Sequence, residues 1–452
     1  MAPQTISPRR RAPGPLSLPV VGNLPDIGRD APTFLMSMFR TYGDVVGYKF
    51  GPMQGHLVAH PDYVRHVLQE HVRNYTKDHF SYGMIRTLVG NGLLTSQGDF
   101  WLRQRRLAAP AFHRQRIAGM TTAMVKAASD LADEWEQRSP EQTYDVSEDM
   151  THITLRIVGE ALFGADVRDQ TDIVHRSFLT LNTQMAHRLR TLRMIPPVLP
   201  TRYDREFREA LNELNSVVYA IIAERRRTNT DTGDLLSMLM LSTDEETGER
   251  MDDQQLHAEV VTMLLAGHET TAVTLTWAFA MIDRHPEVAE RFYAEIDALG
   301  HTPTVEDLGK LTYTRMIVDE TLRLYPPIIV LGRKVKEDDE IGGYYIKAGS
   351  LVDVSPYVTH RHPLFWEHPD RFYPEHFTPE RTAKRPKFAY FPFSAGPRQC
   401  IGNNFALIES TLVLATLGQR FRVRVPKAHS LEPVSLLSLR PAHGMPVSFE
   451  RR

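Results

Sequence analysis

The chain has 452 residues, of which 42% are hydrophobic and 24% charged, which is typical of a globular protein and excludes a disordered one. Its 53 Lys and Arg residues nearly balance its 55 Asp and Glu residues, so we expect no nucleic-acid partner. Its single cysteine, Cys400, excludes an intramolecular disulfide and any metal site built from several cysteines. We find no apolar run typical of a signal peptide or a membrane span, and therefore expect a cytoplasmic protein without a membrane span.

The first 60 residues predict a flexible start and a small β element. Residues 1–12 are short, polar and basic, which predicts a flexible N-terminus. Val45–Phe50 and the stretch 56–59 are separated by a Gly-Pro pair, a pattern typical of a short hairpin. From about residue 61 to residue 330 apolar residues recur with the helical period, so this part is predicted to be helical.

The clearest helix lies in the middle of the chain. It is predicted to begin after Asp252, which is suited to capping, and to end near Arg284, just before a proline. Residues 260–280 are apolar on almost every face, as expected for a helix buried in a large core. A glycine, a histidine, Glu269 and five threonines interrupt this stretch, which favours burial in the protein over a membrane span.

The C-terminal part mixes helices, a loop and strands. The pattern predicts a helix over 314–325, a hairpin over 341–355 turning at 347–349, a long ordered loop over 360–399, a final helix over 401–417 and strands over 420–449. We therefore expect one domain over residues 13–452 that is mainly α. The smaller β part is expected to come from about 40–60, 340–355 and 420–449, and the helices from about 61–330 and 401–417.

The segment around the cysteine has the pattern Phe-x-x-Gly-x-Arg-x-Cys-x-Gly, formed by Phe393, Gly396, Arg398, Cys400 and Gly402. The two glycines would let the backbone approach a flat ligand, and the start of a helix favours a thiolate. The alternative is an inert, buried cysteine at a helix start. The pattern resembles the haem-binding loop of the cytochrome P450 family, which implies that Cys400 ligates the haem iron.

A second motif, Ala-Gly-His-Glu-Thr-Thr, lies in the middle of the long helix at residues 266–271. The alternatives are a packing notch or a zinc-protease motif, but the latter needs a histidine where this chain has Ala272. The sextet is similar to the oxygen-activation motif of the same family. The resemblance implies that Ala266 and Gly267 leave room for O2, that Thr270 donates a hydrogen bond to the oxygen, and that Glu269 relays protons.

A third motif is Glu320-x-x-Arg323, with opposite charges three residues apart on a helix. The alternative is a solvated surface pair. The motif resembles the family's Glu-x-x-Arg element, which supports the loop before the cysteine. The family usually adds an arginine in a Phe-x-Pro-x-Arg-Phe stretch, where this chain has His376. We predict that His376 donates a hydrogen bond to Glu320, with a charge that depends on pH.

Four further residues match the family's positions for pairing the haem propionates: Trp101, Arg105, Arg333 and Arg398. Each arginine alone is more typical of a solvated surface. Together they are expected to bind the two carboxylates, because a guanidinium group matches a carboxylate.

The resemblance implies a mainly α P450 fold that holds haem b between the long helix and the cysteine loop with the final helix. It implies a monooxygenase that inserts one atom of O2 into a lipophilic molecule such as a terpenoid or a fatty acid. Electrons would come from NAD(P)H through a separate ferredoxin or flavodoxin and its reductase, and the protein is expected to be a monomer. The alternatives are a haem-thiolate isomerase or peroxygenase, against which Glu269 and Thr270 argue, and a non-catalytic haem-binding sensor.

The substrate pocket and the partner surface are also predicted. The residues expected to line the pocket, mostly aliphatic, are Phe80, Tyr82, Met84, Leu88, Met263, Ala266, Ile328, Ile329, Val330, Leu331, Leu436 and Leu437. The residues expected to include a docking patch for an acidic redox partner are Arg103, Arg106, Arg114, Arg116, Lys384, Arg385 and Lys387.

Overall fold

The computed structural model describes residues 10–164, 168–190, 201–228, 231–241, 243, 246 and 248–452, so most of the predicted flexible N-terminus lies outside the described residues. The α-helices are α1 Leu24–Tyr42, α2 Pro61–Arg65, α3 Phe80–Val89, α4 Gly98–Ala108, α5 Arg114–Glu136, α6 Val146–Phe163, α7 Arg168–Arg190, α8 Arg202–Thr228, α9 Leu235–Leu241, α10 Asp253–Arg284, α11 Pro286–Asp297, α12 Thr312–Leu324, α13 Pro356–Thr359, α14 Pro379–Lys384 and α15 Asn403–Arg420. A π turn covers His66–Glu70, and short 3-10 turns cover Ala109–Phe112, Val305–Gly309, Pro374–Phe377, Lys387–Ala389 and Gly396–Arg398.

The strands are short and form four small sheets. They are β1 Val45–Phe50, β2 Met53–Val58, β3 Tyr75–Thr76, β4 Tyr144–Asp145, β5 Leu331–Val335, β6 Asp339–Ile341, β7 Tyr344–Ile346, β8 Leu351–Val354, β9 Phe421–Arg424, β10 Pro433–Ser435, β11 Leu439–Pro441 and β12 Pro446–Arg451. The largest sheet has the order β1-β2-β8-β5-β3, and the others are β4-β12-β9, β10-β11 and β6-β7. The prediction of a mainly helical fold with a smaller β part is confirmed.

Strands β2 and β8 are adjacent and parallel, with Gly55 opposite Leu351. A parallel pair needs a crossover connection, and here nearly all of the helical part provides it. The chain therefore leaves the sheet after β2 and the short β3, and returns to it after the helical part. Its return places β5 and the segment before it next to the helical core.

Helix α10 is the centre of the core. Asp252 caps it by accepting a hydrogen bond from the N–H of Gln255 at 2.8 Å, as its predicted start requires. Its residues from Val260 to Leu265 and from Thr271 to Ile282 are all buried. Since α6, α8, α12 and α15 pack around it, α10 has no solvent-facing stripe of the kind that surface helices show.

Two local predictions were wrong and one helix was missed. Lys347–Gly349 does not turn a hairpin: β7 pairs with β6, and β8 joins the large sheet between β2 and β5. The predicted long loop contains α14 and several 3-10 turns. Helix α1 was missed because its sequence contains a proline and is interrupted at Asp30, whose carboxylate accepts from the N–H of Thr33 at 3.1 Å. No helix within the described residues has the length and apolar character that crossing a membrane requires.

Candidate active site

One face of the middle of α10 borders an interior opening, although the rest of this part of the helix is buried. The Ala266 side chain is exposed and that of Thr270, one turn further on, is half-exposed, although their neighbours are buried. Residues four apart share one face of a helix, so both side chains face the same interior opening. The Thr270 hydroxyl donates to the Ala266 carbonyl at 2.8 Å, which places its oxygen on this face.

Gly267 lies where α10 packs closely against α6. A Cβ atom at this position would lie 2.9 Å from Cγ2 of Val158 in α6. The glycine therefore permits the close approach of two helices, α10 and α6. Ala266, with its small exposed side chain, is the residue of this pair that leaves space.

Cys400 lies three residues before α15, in a loop where its N–H donates to the carbonyl of Phe393 at 2.9 Å. Solvent can reach the Cys400 side chain, although the thiol lies deep inside the protein. This burial raises the pKa of the Cys400 thiol, while the Gly402 N–H and the charges of Arg105 and Lys77 oppose the rise. The thiol therefore borders an interior opening, next to groups that favour its thiolate.

The two glycines of the cysteine loop have different surroundings in the protein. Gly396 has a φ of 67°, and a Cβ there would lie 1.9 Å from the carbonyl oxygen of Leu68 in the π turn. A Cβ at Gly402 would meet only Phe112, at 3.7 Å. The loop is thus held from behind by the π turn at a position that only glycine allows.

Four basic residues near the cysteine repel one another electrostatically. We call them the cavity cations: Lys77, Arg105, Arg333 and Arg398. Burial lowers the pKa of Lys77 well below its usual value, and the three arginines lower it further, while Cys400 opposes this. Burial, with Arg333 and Arg105, lowers the pKa of Arg398 to about 10. Like charges in a poorly solvated place repel, so this group of side chains is incomplete without an anion.

The cavity cations donate hydrogen bonds to backbone carbonyl groups. They run from Lys77 to Leu94 at 3.0 Å, from Arg105 to Gln399 at 2.8 Å, from Arg333 to Gly332 at 2.8 Å and from Arg398 to Ser96 at 2.9 Å. The Arg398 guanidinium also lies 3.8 Å from the centre of the Trp101 ring. The structure thus brings together the four residues predicted to bind propionates and adds Lys77, which sequence reasoning missed because nothing around it forms a motif.

The Glu320, Arg323 and His376 side chains form the support cluster, in which all three groups are buried. Arg323 donates to both carboxylate oxygens of Glu320 at 2.7 Å. The His376 Nδ1 lies 3.1 and 3.2 Å from the same two oxygens, and its Nε2 lies 2.6 Å from the carbonyl of Glu367. The contact predicted between His376 and Glu320 is therefore present.

Arg323 also connects the support cluster to the chain before the cysteine. Its remaining hydrogen bonds go to the carbonyl groups of His360, Pro369 and Arg371, at 2.6 to 2.9 Å. One side chain thus satisfies three carbonyl groups of the long segment that leads to Cys400. This contact explains how a segment with little regular structure is held in place.

Three of the seven residues proposed for the docking patch have other partners. Arg103 forms an ion pair with Glu249, and Arg106 forms one with Glu246 at 3.0 Å. Arg385 is half-buried, lies 3.7 Å from the centre of the Trp366 ring and donates to the carbonyl of His376. Arg385 is therefore held by contacts within the protein. The exposed members are Arg114, Arg116, Lys384 and Lys387.

Glu269 accepts hydrogen bonds from a segment near the other end of the chain. Arg440 donates to its two carboxylate oxygens at 2.8 and 2.7 Å, and the Ser438 hydroxyl donates to one of them. The carboxylate next to Thr270 is therefore paired, which answers how this charge is tolerated inside the helix. Sequence reasoning missed both partners because they are 169 and 171 residues away.

The turn between β10 and β11 and the first residue of β11 are fixed to the rest of the protein by hydrogen bonds. The N–H of Leu437 donates to the Asn182 side chain in α7 at 3.1 Å. The carbonyl of Leu439 accepts from the Trp277 ring in α10 at 2.9 Å, and its N–H donates to Pro327 at 2.9 Å. The predicted pocket residues Leu436 and Leu437 lie in the same turn as Glu269's partner Ser438.

The other predicted pocket residues have different surroundings. Ile329 is buried in a cluster with α1 and the large sheet. Phe80 lies against the Phe50 ring, with 4.7 Å between the ring centres. Those that pack against or within the main core are Met84, Leu88, Met263 and Leu437, while Tyr82, Val330, Leu331 and Leu436 are half-buried and Ile328 is exposed.

A second buried carboxylate of α10, Glu259, holds the segment between α3 and α4. It accepts from the N–H of Leu93 at 3.0 Å. Burial raises the pKa of Glu259 to about 7, although the Leu93 N–H lowers it. In α15, burial likewise raises the pKa of Glu409 well above its usual value, with Thr271 of α10 opposing the rise.

These residues fit a haem group. Its iron would be held by Cys400, whose thiol borders the opening, and its two propionates would pair with the cavity cations. Ala266 and Thr270 provide exposed surface inside the core, where a flat ligand can lie against α10. The mainly helical fold, the cysteine loop and this opening define the class of haem-thiolate proteins.

Comparison with known proteins gives the particular family. The cytochrome P450 family model matches residues 12–445. Cyclooctat-9-en-7-ol 5-monooxygenase of Streptomyces melanosporofaciens is 37% identical, over 91% of this chain and 89% of that protein. Pentalenene oxygenase of Streptomyces avermitilis is 34% identical, over 95% of this chain and 94% of that protein. The crystal structure of the cytochrome P450DA heme domain matches with a TM-score of 0.89 and 29% identity, covering 99% of both chains.

The chain belongs to the cytochrome P450 family and is a monooxygenase. The family carries haem and typically uses redox partners. The motifs at residues 266–271, 320–323 and 393–402 therefore predicted the family correctly from the sequence.

Proposed function

We propose that this monooxygenase uses haem b to insert one atom of O2 into a lipophilic terpenoid, with electrons from NAD(P)H delivered by a separate ferredoxin or flavodoxin. The exposed surface of Ala266 and Thr270 beside the paired Glu269 carries the proposal. Pentalenene and cyclooctat-9-en-7-ol, the molecules in the relatives' names, are terpenoids, which favours this class over fatty acids. The mostly aliphatic surroundings of Met263 and Leu437 support a lipophilic substrate.

Haem, when bound, supplies O2 activation at its iron, and a cysteinate ligand favours O–O cleavage. The protein's own task is to hold Cys400 in place, to pair the propionates with the cavity cations and to deliver protons. The Phe393 carbonyl and the π turn fix the cysteine loop, while Arg398 is oriented by Trp101 and by the Ser96 carbonyl. These contacts would hold the residues that bind haem in place before a substrate binds.

Proton delivery is proposed to pass through Glu269 and Thr270. The Thr270 hydroxyl is accessible on the face of α10 that contains Ala266, and the Glu269 carboxylate is the adjacent polar group. Arg440 and Ser438 determine where that carboxylate points. Arg440 is therefore a positioning residue, and Glu269 can pass a proton only when one of its oxygens is released from these donors.

The test of this proposal is Thr270→Ala. The variant should bind the same ligands but form on the order of tenfold less product per O2 consumed, because a positioned proton donor contributes at least that much. Thr276→Ala is the matched control, since Thr276 donates to the Ala272 carbonyl at 2.8 Å and is buried. Unchanged coupling in Thr270→Ala would contradict the proposed relay.

A screen of lipophilic compounds separates the proposal from its two alternatives. A terpenoid should shift the Soret band of the holoprotein and then be oxidised with NAD(P)H, O2 and a surrogate ferredoxin system. A sensor would show the shift without turnover. A peroxygenase would form product with hydrogen peroxide and none with O2 and reductant, and either result would overturn the proposed function.

The redox partner is proposed to dock on the exposed basic residues Arg114, Arg116, Lys384 and Lys387. Lys384→Glu combined with Lys387→Glu should slow reduction by ferredoxin at low ionic strength, because these charges attract an acidic partner. Lys427→Glu, a reversal of an exposed lysine in the segment after β9, should leave the rate unchanged. Reduction that does not respond to ionic strength would contradict this docking surface.

We also propose that the protein acts as a monomer in the cytoplasm. NAD(P)H is available there, and a reducing compartment keeps the single Cys400 thiol free for the iron. Size-exclusion chromatography with light scattering tests the oligomeric state, and a dimer would contradict it.

A further inference from the structure

Two histidines and an aspartate converge at a place that the proposed monooxygenase chemistry does not use. They are His66 at the start of the π turn, His71 just after it and Asp339 at the start of β6. One ligand atom of each lies within 4.8 Å of the others. The residues come from segments about 270 positions apart, so the fold, not local sequence, brings them together.

The π turn accounts for the position of the two histidines. Its characteristic hydrogen bond runs from the His71 N–H to the His66 carbonyl at 2.9 Å, five residues back. The two rings are consequently stacked, with 4.0 Å between their centres and 17° between their planes. An ordinary helical turn would separate residues five apart by about 140° around the axis, so the π turn is required for this pair.

Asp339 is already oriented by hydrogen bonds from Tyr75 and Asn74, which a metal would leave in place. The Tyr75 hydroxyl donates to it at 2.6 Å, and the Asn74 side-chain amide lies 3.4 Å away. The His66 Nε2 lies 2.9 Å from the same oxygen. Metal-binding carboxylates are commonly fixed by such outer hydrogen bonds.

The local charge also favours a cation. Residues 337–340 are four successive acidic residues, and Asp339 is one of them. His71 is exposed, which gives an ion access from solvent and lets the ring adjust. Ligand atoms on a tetrahedral zinc ion are about 3.3 Å apart, given bonds of about 2.0–2.1 Å, so only a small movement of His71 is needed.

We propose that His66, His71 and Asp339 form a binding site for Zn²⁺, with water as the fourth ligand. Two imidazoles and one carboxylate suit Zn²⁺, whereas Mg²⁺ and Ca²⁺ need more oxygen ligands. The ion replaces the hydrogen bond between His66 and Asp339 and joins the π turn to β6.

The position of the site gives it a structural consequence. Leu68, in the middle of the same π turn, lies directly behind Gly396 of the cysteine loop. Zn²⁺ bound at the two ends of this turn would hold the backbone that supports Cys400 from behind. Binding should therefore raise the temperature at which the holoprotein unfolds.

Isothermal titration of Zn²⁺ into metal-stripped holoprotein without an affinity tag tests the site. We expect one ion per chain, with Ni²⁺ and Cu²⁺ competing and Mg²⁺ not competing. His71→Ala should weaken Zn²⁺ binding at least tenfold and abolish the rise in the unfolding temperature. Because His71 is exposed, its loss should leave the fold and the Soret spectrum unchanged.

His443→Ala is the matched control, since this histidine is also exposed and lies in the C-terminal segment. It should bind Zn²⁺ like the unaltered protein. His66→Ala provides a second ligand variant and should weaken binding as much as His71→Ala does. Absence of one-site binding, or equal affinity in His71→Ala and the unaltered protein, would overturn the proposal. Binding is measured without turnover, so its result is independent of the oxygenation chemistry.

Discussion

Two groups of poorly solvated charges lie on either side of the cysteine loop, and they differ in one respect. The support cluster contains its own counter-charges: Arg323 and His376 both contact the Glu320 carboxylate. The cavity cations include Lys77 and Arg333, both buried, and their hydrogen bonds go to backbone carbonyl groups. A buried charge that is paired holds the protein together, while one that lacks an anion indicates a ligand that brings it.

The largest expected effect comes from breaking the support cluster. Arg323→Met removes five hydrogen bonds and leaves Glu320 with His376 and the Tyr373 N–H as its partners. We expect a loss of about 3–5 kcal/mol in the free energy of unfolding, or no holoprotein at all. Denaturant unfolding and the yield of holoprotein measure it.

Two further variants make this result interpretable. The double variant Glu320→Gln with Arg323→Met removes both charges and should be less destabilised than Arg323→Met alone. Arg40→Ala, which breaks an exposed ion pair with Asp370, should cost less than about 1 kcal/mol. If the double variant were as unstable as the single one, the carbonyl contacts of Arg323 would matter more than its charge.

Glu259 is intermediate between the support cluster and the cavity cations. Its buried carboxylate accepts a hydrogen bond from one backbone N–H, and no cation among the described residues lowers its pKa. Its pKa is raised from 4.5 to about 7, so its contribution to stability is fully present below pH 4.5 and is lost as the pH rises through about 7. The loss amounts to roughly 3 kcal/mol at most, since one pKa unit corresponds to about 1.4 kcal/mol.

Glu259→Gln keeps an oxygen that can accept from the Leu93 N–H but removes the titration. Relative to the unaltered protein, the variant should therefore gain stability between pH 5 and pH 8. Thermal unfolding at the two pH values measures the difference. A difference that does not change with pH would contradict the raised pKa.

Removing a cavity cation should have opposite effects with and without haem. Lys77→Met takes away a poorly solvated charge, whose pKa burial and the neighbouring arginines lower. The haem-free protein should become more stable, by about 1–4 kcal/mol. The holoprotein should release haem roughly tenfold faster, because a charged hydrogen bond contributes about 1.5–3 kcal/mol.

Haem transfer to an acceptor such as apomyoglobin measures that release. The control is Lys427→Met, an exposed lysine outside this group. If haem release from Lys77→Met were unchanged, Lys77 would not belong with the propionate partners.

The smallest expected effect is that of His376→Gln. A glutamine amide can donate to Glu320, but it cannot also reach the Glu367 carbonyl that His376 contacts. We expect a loss of about 1 kcal/mol in the free energy of unfolding. Chemical denaturation measures this loss. A loss as large as that of Arg323→Met would show that His376 stabilises the support cluster as much as Arg323 does.

The sequence predicted what depends on local pattern and on short motifs. The period of α10, the cap at Asp252 and the β1-β2 hairpin follow from the local sequence, and the structure confirms them. Contacts across long distances could not be predicted: Arg440 with Glu269, Lys77 with the three arginines, and Val158 against Gly267. The turn at 347–349 was wrong because β8 pairs with β5 and with β2, and β2 is almost the whole helical part away.

That adjacency of β2 and β8 also affects how the molecule is made. Roughly 300 residues must be synthesised between the two strands, which at about 5–20 residues per second takes from 15 to 60 seconds. Until then β2 has an unpaired edge, and such edges associate with other chains. Cys400 leaves the ribosome later still, so helices α1 to α14 are synthesised before haem has its ligand. Refolding should consequently be slow and should compete with aggregation.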